Sequence, residues 1–169
     1  MATVQTTTYS GNTAITFDVS SLATSASFLA GRASTQIDNT TNMYNDAIVN
    51  VGGITCGTTP TIGQQIVLYA WGANTSVGTT NIDVITGTDG NFTLSHASVL
   101  QSLRFVAAPS VTVGTSSIKY WVQPFSVASL FGWVMPKYWG LFLAHNHTNA
   151  LAAAQSALFS YNGITYTNT

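Results

Sequence analysis

Residues 65–71 read QIVLYAW, and no other stretch of the chain is so typical of a β-strand. They are mostly β-branched, aromatic or aliphatic, the side chains that suit a pleated sheet surface. Successive side chains of a strand point to opposite faces, and here both faces are apolar, with Ile66 and Leu68 on one and Val67 and Tyr69 on the other. We therefore predict that this strand lies centrally, between two layers or beneath a partner chain.

Short runs of similar composition recur on both sides of this strand, separated by Gly, Asn, Asp and Pro. The predicted strands are residues 14–19, 28–36, 46–51, 54–55, 104–107, 111–113, 118–123, 138–145, 159–161 and 164–167. Asn162-Gly163 is typical of a two-residue hairpin turn between the last two. Short helical turns are predicted at residues 95–103 and 126–131, and a flexible loop at residues 72–80.

Many short strands without intervening helices predict an all-β protein. We expect a single antiparallel β-sandwich, jelly-roll-like, with one or two short helical turns. Residues 12–169 would form this one domain. Residues 1–11 carry no charge and would form an extended N-terminal arm able to reach a neighbouring molecule.

The composition excludes several classes of protein. Charged residues make up 5% of the chain and the formal net charge is −1, so no basic surface is available to neutralise nucleic-acid phosphates. Phe, Trp and Tyr make up 11%, which excludes intrinsic disorder. The N-terminus lacks the basic start and apolar core of a secretory signal.

The most apolar stretch, residues 127–144, reads VASLFGWVMPKYWGLFLA. Pro136 would break a helix at its centre, and Lys137 would place a charge in the middle of a bilayer. We expect two buried elements that meet at Met135-Pro136, and no contact with a membrane.

The sequence contains no catalytic motif, and we expect neither a catalytic residue nor a cofactor. His145 and His147 would point to the same face of a strand, but a zinc site needs a third protein ligand and His96 is far along the chain. A polar strand end explains the pair without metal. Cys56 lies in a Gly/Thr loop with no His nearby in sequence, which favours a buried, unreactive thiol.

The carboxylates give no stronger signal of chemistry. Asp83 and Asp89 bracket a Gly/Thr loop, but the spacing of a calcium loop is absent, and Asp is common in turns. Asp38 and Asp46 are the other pair within ten residues, and the chain has no Glu for paired-carboxylate hydrolysis.

Aromatic side chains are concentrated between residues 120 and 142. Some must form the core, but aromatics are also enriched at the buried centres of protein interfaces, and sugar stacking is a further alternative. The candidate interface residues are Trp71, Trp121, Phe131, Trp133, Tyr138 and Trp139. A surface of hydroxyls and amides in place of charges loses water at lower cost, which favours a subunit of an assembly.

Two segments carry a resemblance to a known group of proteins. Residues 28–71 contain a Gly-Arg-x-Ser strand, an Asp-Asn turn and the loop GITCGTTPT, and residues 123–146 contain LFG followed by MPK. In this pattern the chain resembles small virion proteins encoded in the structural gene clusters of tailed phages. The resemblance covers under half of the chain, and its motifs are not catalytic.

The resemblance implies a virion component on the capsid surface, most like the capsid decoration (cement) proteins. It implies a non-enzymatic, β-rich homo-oligomer, with a trimer favoured, that binds the major capsid protein. The alternatives are a tail or neck protein of the virion, or a carbohydrate-binding module for host attachment.

Overall fold

The structure is a computed structural model that describes residues 5–76 and 82–168. In this part of the chain thirteen strands are connected by loops and two short helices. The strands are β1 (Gln5–Tyr9), β2 (Thr13–Ala14), β3 (Ala30–Ala33), β4 (Ile37–Asp38), β5 (Asp46–Val51), β6 (Ile54–Thr55), β7 (Ile66–Ala73), β8 (Gly90–Thr93), β9 (Arg104–Ala107), β10 (Lys119–Tyr120), β11 (Phe125–Ser126), β12 (Tyr138–His145) and β13 (Phe159–Asn168). The helices are a 3-10 helix (Ala97–Gln101) and one α-helical turn, α1 (Val127–Leu130).

The strands form an antiparallel sandwich with the strand order of a jelly roll. The first sheet has the order β1-β13-β5-β11, with β2 also beside β13, and the second has the order β8-β3-β12-β7-β9, with β4 also beside β12. Along the chain, β1, β5, β11 and β13 belong to the first sheet, while β3, β7, β9 and β12 belong to the second. This alternation is the double Greek key of the jelly roll, which confirms the predicted fold class.

The second sheet is covered on both faces, as the sequence of β7 predicts. Its central strands, β7 and β12, are in register over eight residue pairs, from Ile66–His145 to Ala73–Tyr138. Ile66 and Leu68 pack in the core between the two sheets. Trp71 and Phe142 pack on the opposite face in a second core, which residues between Ile82 and Leu103 cover.

Near the start of the chain, the predicted burial pattern of residues 14–19 is confirmed, but most of the strand predicted there is not formed. Ile15, Phe17 and Val19 are buried on one face as expected, but only Thr13–Ala14 joins a ladder. Of the predicted arm, Gln5–Tyr9 is extended with exposed side chains and pairs with β13 of the same chain. Residues 1–4 lie outside the described residues.

The hairpin predicted at Asn162-Gly163 is wrong, because β13 runs through both residues without a turn. Neither residue has a positive φ, which a type I′ turn requires. Gly163 serves close packing instead, since a Cβ there would overlap the ring of Tyr44. The Asn162 side chain bonds across the sheet, donating to the carbonyl of Ser10 at 3.0 Å.

Other predicted elements differ in length. Residues 111–113 form no strand, and the predicted strands at 28–36 and 118–123 shorten to β3 and β10. The predicted loop at 72–80 begins later, because β7 extends through Ala73, and residues 77–81 of that region lie outside the described residues.

The apolar stretch 127–144 folds as two elements, as predicted. α1 is followed by a turn, and β12 begins at Tyr138, just after Met135-Pro136. Among the described residues no helix has the length and apolar character needed to cross a bilayer.

Candidate interaction surface

Two of the six candidate interface residues are core residues. Trp71 and Trp139 are fully buried. The Trp71 indole donates to the carbonyl of Leu141 at 3.3 Å, and the Trp139 ring packs edge-on against Tyr161 with centroids 5.4 Å apart. Both side chains are therefore out of a partner's reach, and this corrects their assignment to an interface.

The other four differ in exposure. Trp121 is 67% exposed and Trp133 is 79% exposed. Phe131 and Tyr138 are half-buried, and Tyr138 packs against the second core. Phe105, at 58% exposure, is an exposed aromatic that sequence reasoning missed. Its ring packs edge-on against Tyr69, with centroids 6.1 Å apart.

The backbone holds Trp133 out of the core. Gly132 and Trp133 both have left-handed backbone conformations, with φ of 72° and 66°. The Trp133 N–H donates to the carbonyl of Ala128 at 2.8 Å, which ties this turn to α1. A tryptophan in this conformation is strained and persists only where the surroundings impose it. The indole is thus presented to solvent by an ordered turn.

A first groove, of about 270 Å³, lies beside this turn between the end of β7 and Phe131–Pro136. Gly72 lines this groove, and a Cβ there would approach Pro136 Cγ to 2.7 Å and the Phe131 ring to 2.9 Å. The Arg104 guanidinium lies 5.9 Å from the centroid of the Phe131 ring, within cation–π range.

A second groove, of about 420 Å³, separates the two sheets where both end. Val106 of β9 lines one wall, and Trp121 and Phe125 line the other. Both β9 and β11 are edge strands, so this is the open side of the sandwich. Trp121 lines the second groove, Phe131 lines the first and is followed two residues later by Trp133, and Phe105 lies on β9. We call these four residues the aromatic surface.

None of the residues that line these two grooves is charged. Two cations border them. Arg104 lies on β9, and Lys119 packs with Trp121 over Gly53, where a Cβ would come within 3.1 Å of both side chains. The aromatic surface can therefore exclude water over apolar rings while its rim stays positively charged.

The histidine pair is buried and hydrogen-bonded within the chain. His145 Nδ1 accepts from the backbone N–H of His147 at 3.2 Å, so its proton lies on Nε2, which donates to the carbonyl of Leu22 at 2.8 Å. Burial lowers the pKa of His145. Burial and the adjacent His145 lower the pKa of His147 to about 4. Both rings are therefore neutral near pH 7.

Cys56 has a histidine beside it after all, 91 residues along the chain. Its Sγ lies 3.3 Å from His147 Nδ1, and burial raises the pKa of the thiol to about 11. A neutral thiol beside a neutral imidazole is the opposite of a thiolate–imidazolium nucleophile. The Tyr120 ring packs against His147, and its buried hydroxyl lies near the backbone of Thr112 without good hydrogen-bond geometry.

The remaining metal and carboxylate candidates are separated by the fold. His96 accepts from the Ser98 N–H and caps the 3-10 helix at the surface. Asp83 accepts from Ser95, whereas Asp89 forms an ion pair with Arg32. Within residues 5–76 and 82–168, no three His, Cys, Asp or Glu side chains are grouped so as to hold a metal ion.

Comparison of the chain with protein-family models, with curated proteins and with solved structures gives no match.

Proposed function

We propose that this chain is a non-enzymatic structural protein of a tailed-phage virion, a capsid decoration (cement) protein. It would bind the outer lattice of the major capsid protein and its own copies on the capsid surface. The aromatic surface supports this proposal most: large rings stand exposed at the open side of a sandwich that carries almost no charge.

The mechanism would be adhesion. Tryptophan is enriched among the side chains that contribute most to protein interfaces, and rigid rings lose little conformational freedom on binding. Trp121 and Trp133 are already exposed, and the turn at Gly132 fixes the second one. Burial of this apolar area would contribute about 25 cal/mol per Å² before the losses of association.

The jelly roll adds only an analogy. This architecture recurs in viral capsid domains and in lectins, and a fold by itself does not determine function. The fold is therefore compatible with the capsid role and with the carbohydrate-binding alternative.

Electron microscopy of the virus particles tests the location. A decoration protein should give density over the whole outer lattice, and particles without it should lose heat resistance. Density at a single vertex would indicate a tail or neck protein instead. If purified wild-type particles do not contain this chain, both the decoration role and the tail or neck role are refuted.

Substitution tests the surface itself. The double variant Trp121→Ser/Trp133→Ser should occupy particles at about tenfold lower affinity or worse, because two exposed anchors are lost. The control is Tyr9→Ser, which removes an exposed ring from β1 at the far edge of the first sheet. Equal loss in both variants would contradict a role for the aromatic surface.

A carbohydrate-binding module for host attachment is the second candidate. The exposed Trp133 beside the first groove offers a flat ring on which a sugar could stack. Glycan-array binding that disappears in Trp133→Ala and survives in Tyr9→Ala would favour this reading. Trp139 is unsuitable for this test, because its ring is buried.

A further inference from the structure

The second sheet ends in two strands whose outer sides have no partner strand among the described residues. These are β8 at one edge and β9 at the other. Both are short, and side chains of both reach solvent, including Asn91 and Thr93 of β8. Unpaired sheet edges favour association with another chain unless they are protected.

The β8 edge is acidic. Asp89 immediately precedes β8 and accepts from Arg32 Nε and Nη2 at 2.7 and 2.8 Å. Asp18 lies beside this pair, since its backbone N–H donates to Asp89 at 3.2 Å. Asp83 lies beyond the other end of β8, where it accepts from the backbone and hydroxyl of Ser95. Three carboxylates against one guanidinium give this edge a net charge of −2.

The β9 edge is basic. Arg104 and Lys119 border the aromatic surface and, with the one carboxylate of Asp46 behind it, give this edge a net charge of +1. The Asp46 carboxylate is buried, where it accepts from the Ser126 hydroxyl and the Ala128 N–H, so only the two cations reach the surface of this edge. The charges of Lys137 and Asp38 balance near the start of β12, where Asp38 is the register partner of Tyr138.

This separation of charge selects one mode of self-association. Two β9 edges facing each other would bring cations together, and two β8 edges would bring carboxylates together. A β9 edge against a β8 edge pairs opposite charges and covers both unpaired strands. We propose that copies of this chain associate head to tail, with the aromatic surface and β9 of one copy docked on the β8 edge of the next.

This inference rests on the self-association part of the proposed function, and its partner is a second copy. A head-to-tail contact uses two different patches, so it closes into a ring or grows into a filament.

The test uses two variants of the full chain that each lose one patch. Arg104→Asp/Trp121→Ser removes a cation and an exposed ring from the β9 edge. Asn91→Lys/Thr93→Lys adds two cations to the β8 edge at side chains that are exposed. Thr6→Lys/Thr8→Lys places the same charges on β1, an exposed edge strand of the other sheet, and serves as the control.

Sedimentation over a concentration series, with circular dichroism to verify folding, gives the readout. We expect wild type and the β1 control to associate. Each patch variant alone should associate with an affinity at least about tenfold lower. The two patch variants mixed should form a complex of twice the monomer mass, because one intact β9 edge then meets one intact β8 edge.

Three results would overturn the inference: wild type that stays monomeric, folded patch variants that associate like wild type, or patch variants that remain monomeric when mixed. Monomeric wild type that binds particles would leave the proposed function standing. Head-to-tail assembly without particle binding would remove the capsid role and leave the inference intact.

Discussion

Gly140 of β12 is the register partner of Trp71 of β7. Because glycine has no side chain, the Trp71 indole can pack directly over it. A Cβ at this position would overlap the Trp71 ring and come within 2.8 Å of Ser34 Oγ. That hydroxyl is also engaged, accepting from the Leu141 N–H and donating to the carbonyl of Thr35, both at 2.9 Å. Neither neighbour can move away without breaking a hydrogen bond or the packing of the second core.

We therefore predict that Gly140→Ala lowers the free energy of unfolding by about 1–3 kcal/mol, the usual effect of overpacking. Urea unfolding followed by tryptophan fluorescence measures it. Gly11→Ala is the control, since nothing lies within 4 Å of the added methyl group. Equal stability of Gly140→Ala and wild type would show that this crossing can relax.

The buried histidines make stability depend on pH. Their pKa values are lowered in the folded chain, to about 4 for His147, against about 6.5 when unfolded. Between these values the unfolded state binds protons that the folded state does not. The free energy of unfolding should therefore fall as the pH falls from 6.5 towards 4, by up to about 1.4 kcal/mol per pH unit for His147, and His145 should add to the fall in the same direction.

Urea titrations at several pH values measure this slope. His147→Asn should be less stable at pH 7 and show a shallower fall. His96→Asn, at the surface, should leave the slope unchanged. A slope of zero in the wild type over this range would contradict the burial of the pair as neutral rings.

At the level of elements, α1 is held by one buried carboxylate. Asp46 begins β5 and accepts from the N–H groups of Ala47 and Ala128 at 2.7 and 2.8 Å and from the Ser126 hydroxyl at 2.6 Å. The turn that presents Trp133 is in turn held by α1, because the Trp133 N–H donates to the carbonyl of Ala128. One side chain in the first sheet thus positions part of the aromatic surface.

Asp46→Ala should lower the free energy of unfolding by about 2–4 kcal/mol, because it leaves buried donors without a charged acceptor. Trp133 should become more mobile, which time-resolved fluorescence anisotropy of a Trp121→Phe background detects. Asp38→Ala, which removes an exposed carboxylate bonded to Thr40, should leave stability close to that of the wild type. Matching losses in the two variants would argue against a special role for Asp46.

The elements that the sequence predicts well are those with a strong local pattern. β5 and β12 match the expected bounds, and the helical turns lie where expected, because alternation and turn residues are visible within a few positions. The turn at Asn162-Gly163 failed because long-range pairing of β13 with β5 and packing against Tyr44 override local turn preference.

The parts of the site that sequence reasoning missed depend on contacts between distant residues. Alternation places Trp71 on the outer face of β7, but it cannot show that residues 82–103 cover that face. The contact of Cys56 with His147 likewise joins positions 91 residues apart. Phe105 had a local signal, since it alternates with Val106 in a short strand, yet nothing nearby in sequence shows that its face is open.

For the whole molecule, folding depends little on ionic interactions. The described residues contain one ion pair, Arg32 with Asp89, and the two cores are apolar. Stability should therefore respond weakly to salt, whereas an association between edges of opposite charge should respond strongly.

We predict that added NaCl changes the free energy of unfolding by less than about 0.5 kcal/mol while it weakens self-association. Urea unfolding and sedimentation at low and high NaCl measure the two effects on the same sample. A large loss of stability would contradict this description of the fold, and association strengthened by salt would contradict charge pairing between copies.

The pairing of β1 with β13 has a practical consequence. Gln5 and Asn168 are register partners, and β1 is at the opposite edge of its sheet from β11. A peptide fused before Gln5 and a peptide fused after Asn168 would emerge side by side, away from the two grooves. A short linker could join these positions for circular permutation, and foreign epitopes displayed there would leave the aromatic rings free to bind.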